Sequence, residues 1–117
     1  IHQNSYPEEA IHGAQVFYYE DSVEGKKLAE ILQRHLVEGL DKTNHRQAKG
    51  NKTYYMLKKT EATLVIVECG FLSNDQEALL LTDEKYQNKV AKAICSGNLE
   101  YLSSLAEKSE NKKITGA

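Results

Sequence analysis

Thr63-Leu64-Val65-Ile66-Val67-Glu68-Cys69-Gly70 is a continuous, mostly β-branched apolar run that ends on a carboxylate, a thiol and a glycine. It is the length of a strand and far short of a membrane span. A run apolar at every position, rather than at alternate ones, belongs to a central strand covered by helices on both faces and parallel to its neighbours. Upstream, Ala14-Gln15-Val16-Phe17-Tyr18-Tyr19 is rich in β-branched and aromatic residues and reads as a second strand. Asp21-Ser22-Val23-Glu24 then has the form of a capping box, and Leu28, Ile31, Leu32, His35, Leu36 and Leu40 recur at helical spacing. These predict an amphipathic helix over residues 22–40, with His35 at the edge of its buried stripe.

Residues 41–53 are polar and lack periodicity, so they read as an exposed loop of a length that often serves function. Tyr54-Tyr55-Met56-Leu57 is an apolar island that suits either one helical turn or a brief strand. Downstream of the decisive run, Asn74-Asp75-Gln76-Glu77 repeats the capping-box pattern, and Thr82 is placed to cap a last helix beginning near Asp83. Tyr86, Val90, Ala91, Ala93, Ile94, Tyr101, Leu102 and Leu105 are expected to face the core. Residues 107–117 are charged or small apart from Ile114 and read as a frayed polar tail.

Strands followed by helices give an α/β layer architecture, here a mostly parallel sheet with flanking helices. Only about three strands are countable, including a short one at or before Ile1, which is few for a buried parallel sheet. The sheet is therefore expected to be incomplete at its N-terminal side. The chain has 117 residues, 40% hydrophobic and 27% charged, enough for one soluble domain over residues 1–106 and too mixed for a disordered chain. A net charge of -2 provides no general electrostatic reason to bind nucleic acid or an anionic membrane surface. Cys69 and Cys95 are too few and too far apart for a disulfide framework or a metal knuckle, and both are expected as small buried thiols.

Glu68 is the residue whose position asks for chemistry. A carboxylate at the end of the most apolar segment is costly unless it is paired, protonated or facing a cleft, and the carboxyl ends of strands border the crevice of open α/β sheets. Both a salt-bridged structural glutamate and a catalytic one satisfy that reading. His2, before the turn-forming Asn4-Ser5-Tyr6-Pro7, is equally open between a surface residue and a ligand.

Ile1-His2-Gln3-Asn4-Ser5 followed by Gly13-Ala14-Gln15-Val16-Phe17-Tyr18-Tyr19 is similar to the SIHxNS and GAxVYY segments of the zinc-dependent N-acetylmuramoyl-L-alanine amidases. Val67-Glu68-Cys69-Gly70-Phe71-Leu72-Ser73-Asn74 resembles that family's VExGFLSN signature. Val90-Ala91-Lys92-Ala93-Ile94 resembles the start of its last helix, and the match runs in order from Ile1 to about Leu102. Gln3, Tyr6-Pro7 and the Arg46-to-Tyr55 stretch look most like the germination-specific cortex amidases of spore formers.

The resemblance implies the amidase fold and hydrolysis of the bond between N-acetylmuramic acid and the L-alanine of the stem peptide. It implies a Zn2+ cofactor with His2 as the last of three protein ligands, and Glu68 beside it as general base and acid. Arg46 and Lys49 sit where the family has a basic pair, implied to hold stem-peptide carboxylates, and Asn4 is implied to orient substrate or the turn beside His2. The implied setting is extracytoplasmic, at the cell wall or spore cortex, with peptidoglycan as substrate and a lipoprotein or self-association as possible partnership. The family's first His ligand and its Glu ligand have no counterpart in residues 1–117. The parent protein is therefore expected to be longer, with these residues the C-terminal part of its domain and inactive alone. The alternative is a non-catalytic peptidoglycan-binding or partner-dependent regulatory domain of the same fold.

Overall fold

The computed structural model describes residues 1–115. In chain order the elements are β1 (His2–Asn4), β2 (Gln15–Tyr19), α1 (Val23–Leu40), β3 (Lys49–Asn51), α2 (Tyr55–Lys59), β4 (Val65–Phe71), α3 (Asp75–Leu81) and α4 (Glu84–Thr115). The expected α/β layering is present, built on one four-stranded sheet in the order β1-β4-β2-β3.

The mostly parallel sheet is borne out in part, with two of its three strand pairings parallel. β1 runs parallel to β4 and β2 parallel to β3, but β4 is antiparallel to β2. The cause is connector length. The 18-residue α1 returns the chain to the end of the sheet where β2 began, so that β3 runs parallel to it. The five-residue α2 cannot make that return, and Val65 enters beside Tyr18 at the end where β3 has just finished. β3 itself lies inside the stretch read as loop; its Lys-Gly-Asn sequence carries no strand signal and is recruited by the open edge of β2.

One sheet face carries the core. Val16, Val67 and Cys69 pack with Ala29, Leu32 and Leu36 of α1, Leu81 of α3, and Val90 and Ala93 of α4. The two long helices approach closely because Gly97 has no side chain: a Cβ there would stand 2.6 Å from Leu32 Cδ2. Gln33, buried on α1, is satisfied at both ends, accepting from the Val16 N–H at 2.8 Å and donating to the Ala14 carbonyl at 3.1 Å.

Asn74 caps α3 as expected, its side chain accepting from the Glu77 N–H, whereas α1 is capped one residue later than the box headed by Asp21 predicts, by the Ser22 hydroxyl accepting from the Gly25 N–H. Thr82 acts at the other end of the turn from the one expected: it closes α3, donating its hydroxyl to the Leu79 carbonyl, while Asp83 accepts from the Lys85 N–H. The stretch read as a frayed tail continues α4 through Thr115, exposed at every described position, because its Glu and Lys residues favour helix without packing. Gly116 and Ala117 lie outside the described residues. Ala91, Leu102 and Leu105, expected in the core, are exposed, and so is Cys95, whereas Cys69 is buried.

α1 and α4 are also tied by charge, through Glu100 with Arg34 and with His35 Nε2 at 3.1 Å. The His35 hydrogen bond, then Arg34, holds the Glu100 carboxyl below its ordinary range. A depressed folded pKa contributes stability above the ordinary value, lost as pH falls through the lowered one. The thermal-stability advantage of the wild type over Glu100→Gln is thus expected at neutral pH and to fade below the ordinary 4.5; an advantage independent of pH would refute the tie. Leu32, 1% exposed, is expected to cost about 2–5 kcal/mol on truncation to alanine, read from denaturant midpoints.

Candidate active site at the centre of the sheet

Glu68 occupies the middle of β4, not its end, because the strand continues through Gly70 to Phe71. It is flanked on both sides, with His2 of β1 and Gln15 of β2 as its register partners. Alternation along β4 sends Val67 and Cys69 into the helical core and Glu68 with Ile66 to the opposite face. The strand that resembles a signature in sequence therefore delivers one carboxylate, beside one imidazole, to the face free of α1 and α4.

On that face, Ile1, His2, Tyr54, Tyr55, Ile66 and Glu68 are among the residues lining a cavity of about 410 Å³. Tyr54 is held by an edge-on contact with Phe17, ring centroids 5.6 Å apart, and α2 is anchored by the buried Leu57. Glu68 Oε2 is buried and accepts no hydrogen bond. Burial pushes the Glu68 carboxyl above its ordinary range, and His2 draws it back. An unpartnered buried carboxylate oxygen next to a histidine is a group arranged for something other than folding.

The other sequence candidates lie elsewhere. Arg46 donates Nε to the His12 carbonyl at 2.8 Å and Nη1 to Gln15 Oε1 at 3.1 Å, with its guanidinium 5.0 Å above the Phe71 ring. It is bound into the framework behind Gln15 rather than free in a loop. Lys49 begins β3 opposite Phe17 and is exposed. Asn4 accepts from the Ser5 N–H through its side chain and from the Leu72 N–H through its carbonyl. None of the three lines the cavity.

Zinc sites of the catalytic kind use three protein ligands. Among the described residues no three His, Cys, Asp or Glu side chains come together, so His2 and Glu68 do not make such a site by themselves. The orphaned Glu68 Oε2 fits a place where further groups are to be met; the donor set of this chain is short of them. Two features escaped sequence reasoning. The wall formed by Tyr54 and Tyr55 was visible as an apolar island of undecided class. Glu77 was read only as a helix-capping residue, yet its carboxylate accepts from the Gly13 and Phe71 N–H groups.

Comparison with known proteins agrees with this geometry. The model of the family described as N-acetylmuramoyl-L-alanine amidase matches residues 1–99. The germination-specific N-acetylmuramoyl-L-alanine amidase of Bacillus subtilis is 41% identical over 101 residues, covering 86% of this chain and 42% of that protein. The CwlD amidase of Clostridioides difficile, solved in complex with the GerS lipoprotein, superimposes with a TM-score of 0.85 at 43% identity, over 87% of this chain and 52% of that one. The catalytic domain of the amidase CwlV from Bacillus (Paenibacillus) polymyxa superimposes at 0.76 with 28% identity, over 86% of this chain and 54% of that one. The chain thus spans about half the length of the proteins it matches. A family match running from before His2 to beyond α3, in the fold those amidases share, places it: the chain belongs to the N-acetylmuramoyl-L-alanine amidase family.

Proposed function

We propose that these residues form the C-terminal part of the catalytic domain of a zinc-dependent amidase. It hydrolyses the bond between N-acetylmuramic acid and the L-alanine of the stem peptide in peptidoglycan, in cell-wall or spore-cortex remodelling linked to germination. The observation that carries this reading is the buried, unpartnered Glu68 Oε2 beside His2 on the central strands of an amidase-family fold. Glu68 is the proton carrier: it takes a proton from the attacking water and delivers it to the leaving L-alanine amine. Its raised pKa suits the second step, since a carboxyl that holds its proton more tightly is a usable acid nearer neutrality.

His2 is the one imidazole placed to hold zinc next to Glu68, with the remaining donors supplied from beyond the described residues. Zinc, when bound, supplies Lewis-acid polarisation of the amide carbonyl and a more acidic water. Lys49 and Arg46 are the cations proposed to meet stem-peptide carboxylates, and Asn4 is proposed to shape the turn that follows His2.

The relative at 41% identity is named as germination-specific, which supports the cortex setting and an extracytoplasmic site of action. Among the described residues no helix is long and apolar enough to cross a membrane. A lipoprotein partner is the proposed association, supported by the complex solved for the C. difficile relative.

The experiment uses protein carrying the whole family domain, purified without chelator. Glu68→Gln is expected to lower release of L-alanyl peptides from peptidoglycan by about 10² or more, with metal content per chain unchanged. His2→Ala is expected to weaken zinc retention by about tenfold or more. Near-wild-type hydrolysis by Glu68→Gln would sink the proposed role.

A further inference from the structure

We propose that Glu77 is a positioning residue for Glu68: its carboxylate clasps the end of β4 to the segment that leads into β2 and holds the strand where Glu68 faces His2. The catalytic consequence rests on the amidase reading above; the clasp itself does not.

The need for a clasp arises in the register. His2 is paired with Glu68, but Asn4 with Phe71, so the β1–β4 ladder slips by one residue just beyond Glu68. A bulge disrupts the ladder locally, leaves a backbone group without its strand partner and re-aims the neighbouring side chains. The Phe71 N–H, at the far side of this slip, donates to Glu77 Oε1 at 3.0 Å. The same oxygen accepts from the Gly13 N–H at 2.8 Å. Gly13 leads into β2 and stands two residues before Gln15, the partner of Glu68 on that strand. One carboxylate oxygen thus joins the end of the catalytic strand to the segment that leads into its neighbour β2.

The surroundings are shaped to admit it. Gly70 has no side chain where a Cβ would meet the Glu77 carboxyl carbon at 3.4 Å. Gly13 adopts φ 105, a region that favours glycine, and a Cβ there would come 2.9 Å from Asn44 Oδ1. Glu77 is itself fixed, its N–H donating to the Asn74 side chain at 3.0 Å. A carboxylate that only stabilised the first turn of α3 would not also take the Gly13 and Phe71 N–H donors.

The test uses the active protein with the whole family domain, and three variants. Glu77→Asp keeps the charge but shortens the reach by one methylene, Glu77→Gln keeps the reach and one acceptor oxygen, and Asp75→Asn removes a charge from the same helical turn. Glu77→Asp is expected to lower kcat at least about tenfold with KM within about twofold, and to speed amide hydrogen exchange at Gly13 and Phe71. Glu77→Gln is expected to restore both readouts to within about threefold of wild type, and Asp75→Asn to leave them unchanged. Faster exchange in Glu77→Asp with wild-type kcat would overturn the positioning role, as would an equal loss in Asp75→Asn. Unchanged exchange in Glu77→Asp would overturn the clasp itself. A wild-type protein without amide hydrolysis would instead sink the amidase reading, and the exchange pattern would still decide whether the clasp exists.

Discussion

A carboxylate in the middle of the central strand is the constraint on which the rest of this structure depends. Desolvating Glu68 without a hydrogen bond for Oε2 opposes folding, and the opposition has to be met elsewhere in a small domain. The opposite face of the same strand meets it. Val67 and Cys69, one residue to either side, are sealed against α1, α3 and α4, so the alternation of a single strand separates the stabilising face from the face left for chemistry. The period of two makes this an all-or-none arrangement, since a slip of one residue would exchange Glu68 with its buried neighbours.

That sensitivity explains why so much polar structure is gathered near the ends of β4 and β2. Gln33 locks the entry of β2 to α1. Asn44 donates to the Ala14 carbonyl and accepts from the Arg46 N–H, and Arg46 in turn spans His12, Gln15 and the Phe71 ring. Apart from the local Asn44–Arg46 bond, these contacts reach segments near Glu68 from distant parts of the chain. Such networks are costly unless their members are satisfied, and here backbone carbonyls of residues 12 and 14, the Val16 N–H and the Gln15 side chain serve as partners.

Much of this was legible in the sequence where a residue reports on its own surroundings. The β-branched run placed β4, helical spacing placed α1, and the Asn74-to-Glu77 pattern marked the start of α3. The resemblance singled out His2 and Glu68, which the sheet brings side by side. What was not legible depends on how segments meet. Strand direction at β4 follows from the shortness of α2, which no residue in β4 encodes. β3 is a strand only because β2 offers it an edge. The anchoring of Arg46 was not legible because its partners, the His12 carbonyl and Gln15, lie far away in sequence. Leu102 and Leu105 fit a helical stripe, but α4 runs on past the elements that would have covered them.

Glu68 and Glu77 show how one residue type is given two roles by its setting. Glu68 lies within the apolar run and Glu77 shortly after it, and both are partly buried. Glu77 Oε1 receives two backbone N–H groups, which commit it to holding strands together. Glu68 Oε2 receives none, and burial leaves its carboxyl readier to keep a proton. A carboxylate already committed to two donors has little left to offer a reacting group, whereas one left without them can exchange a proton at modest cost. The difference in hydrogen bonding, rather than the identity or the depth of the side chain, separates the carboxylate bound into the fold from the one proposed for chemistry.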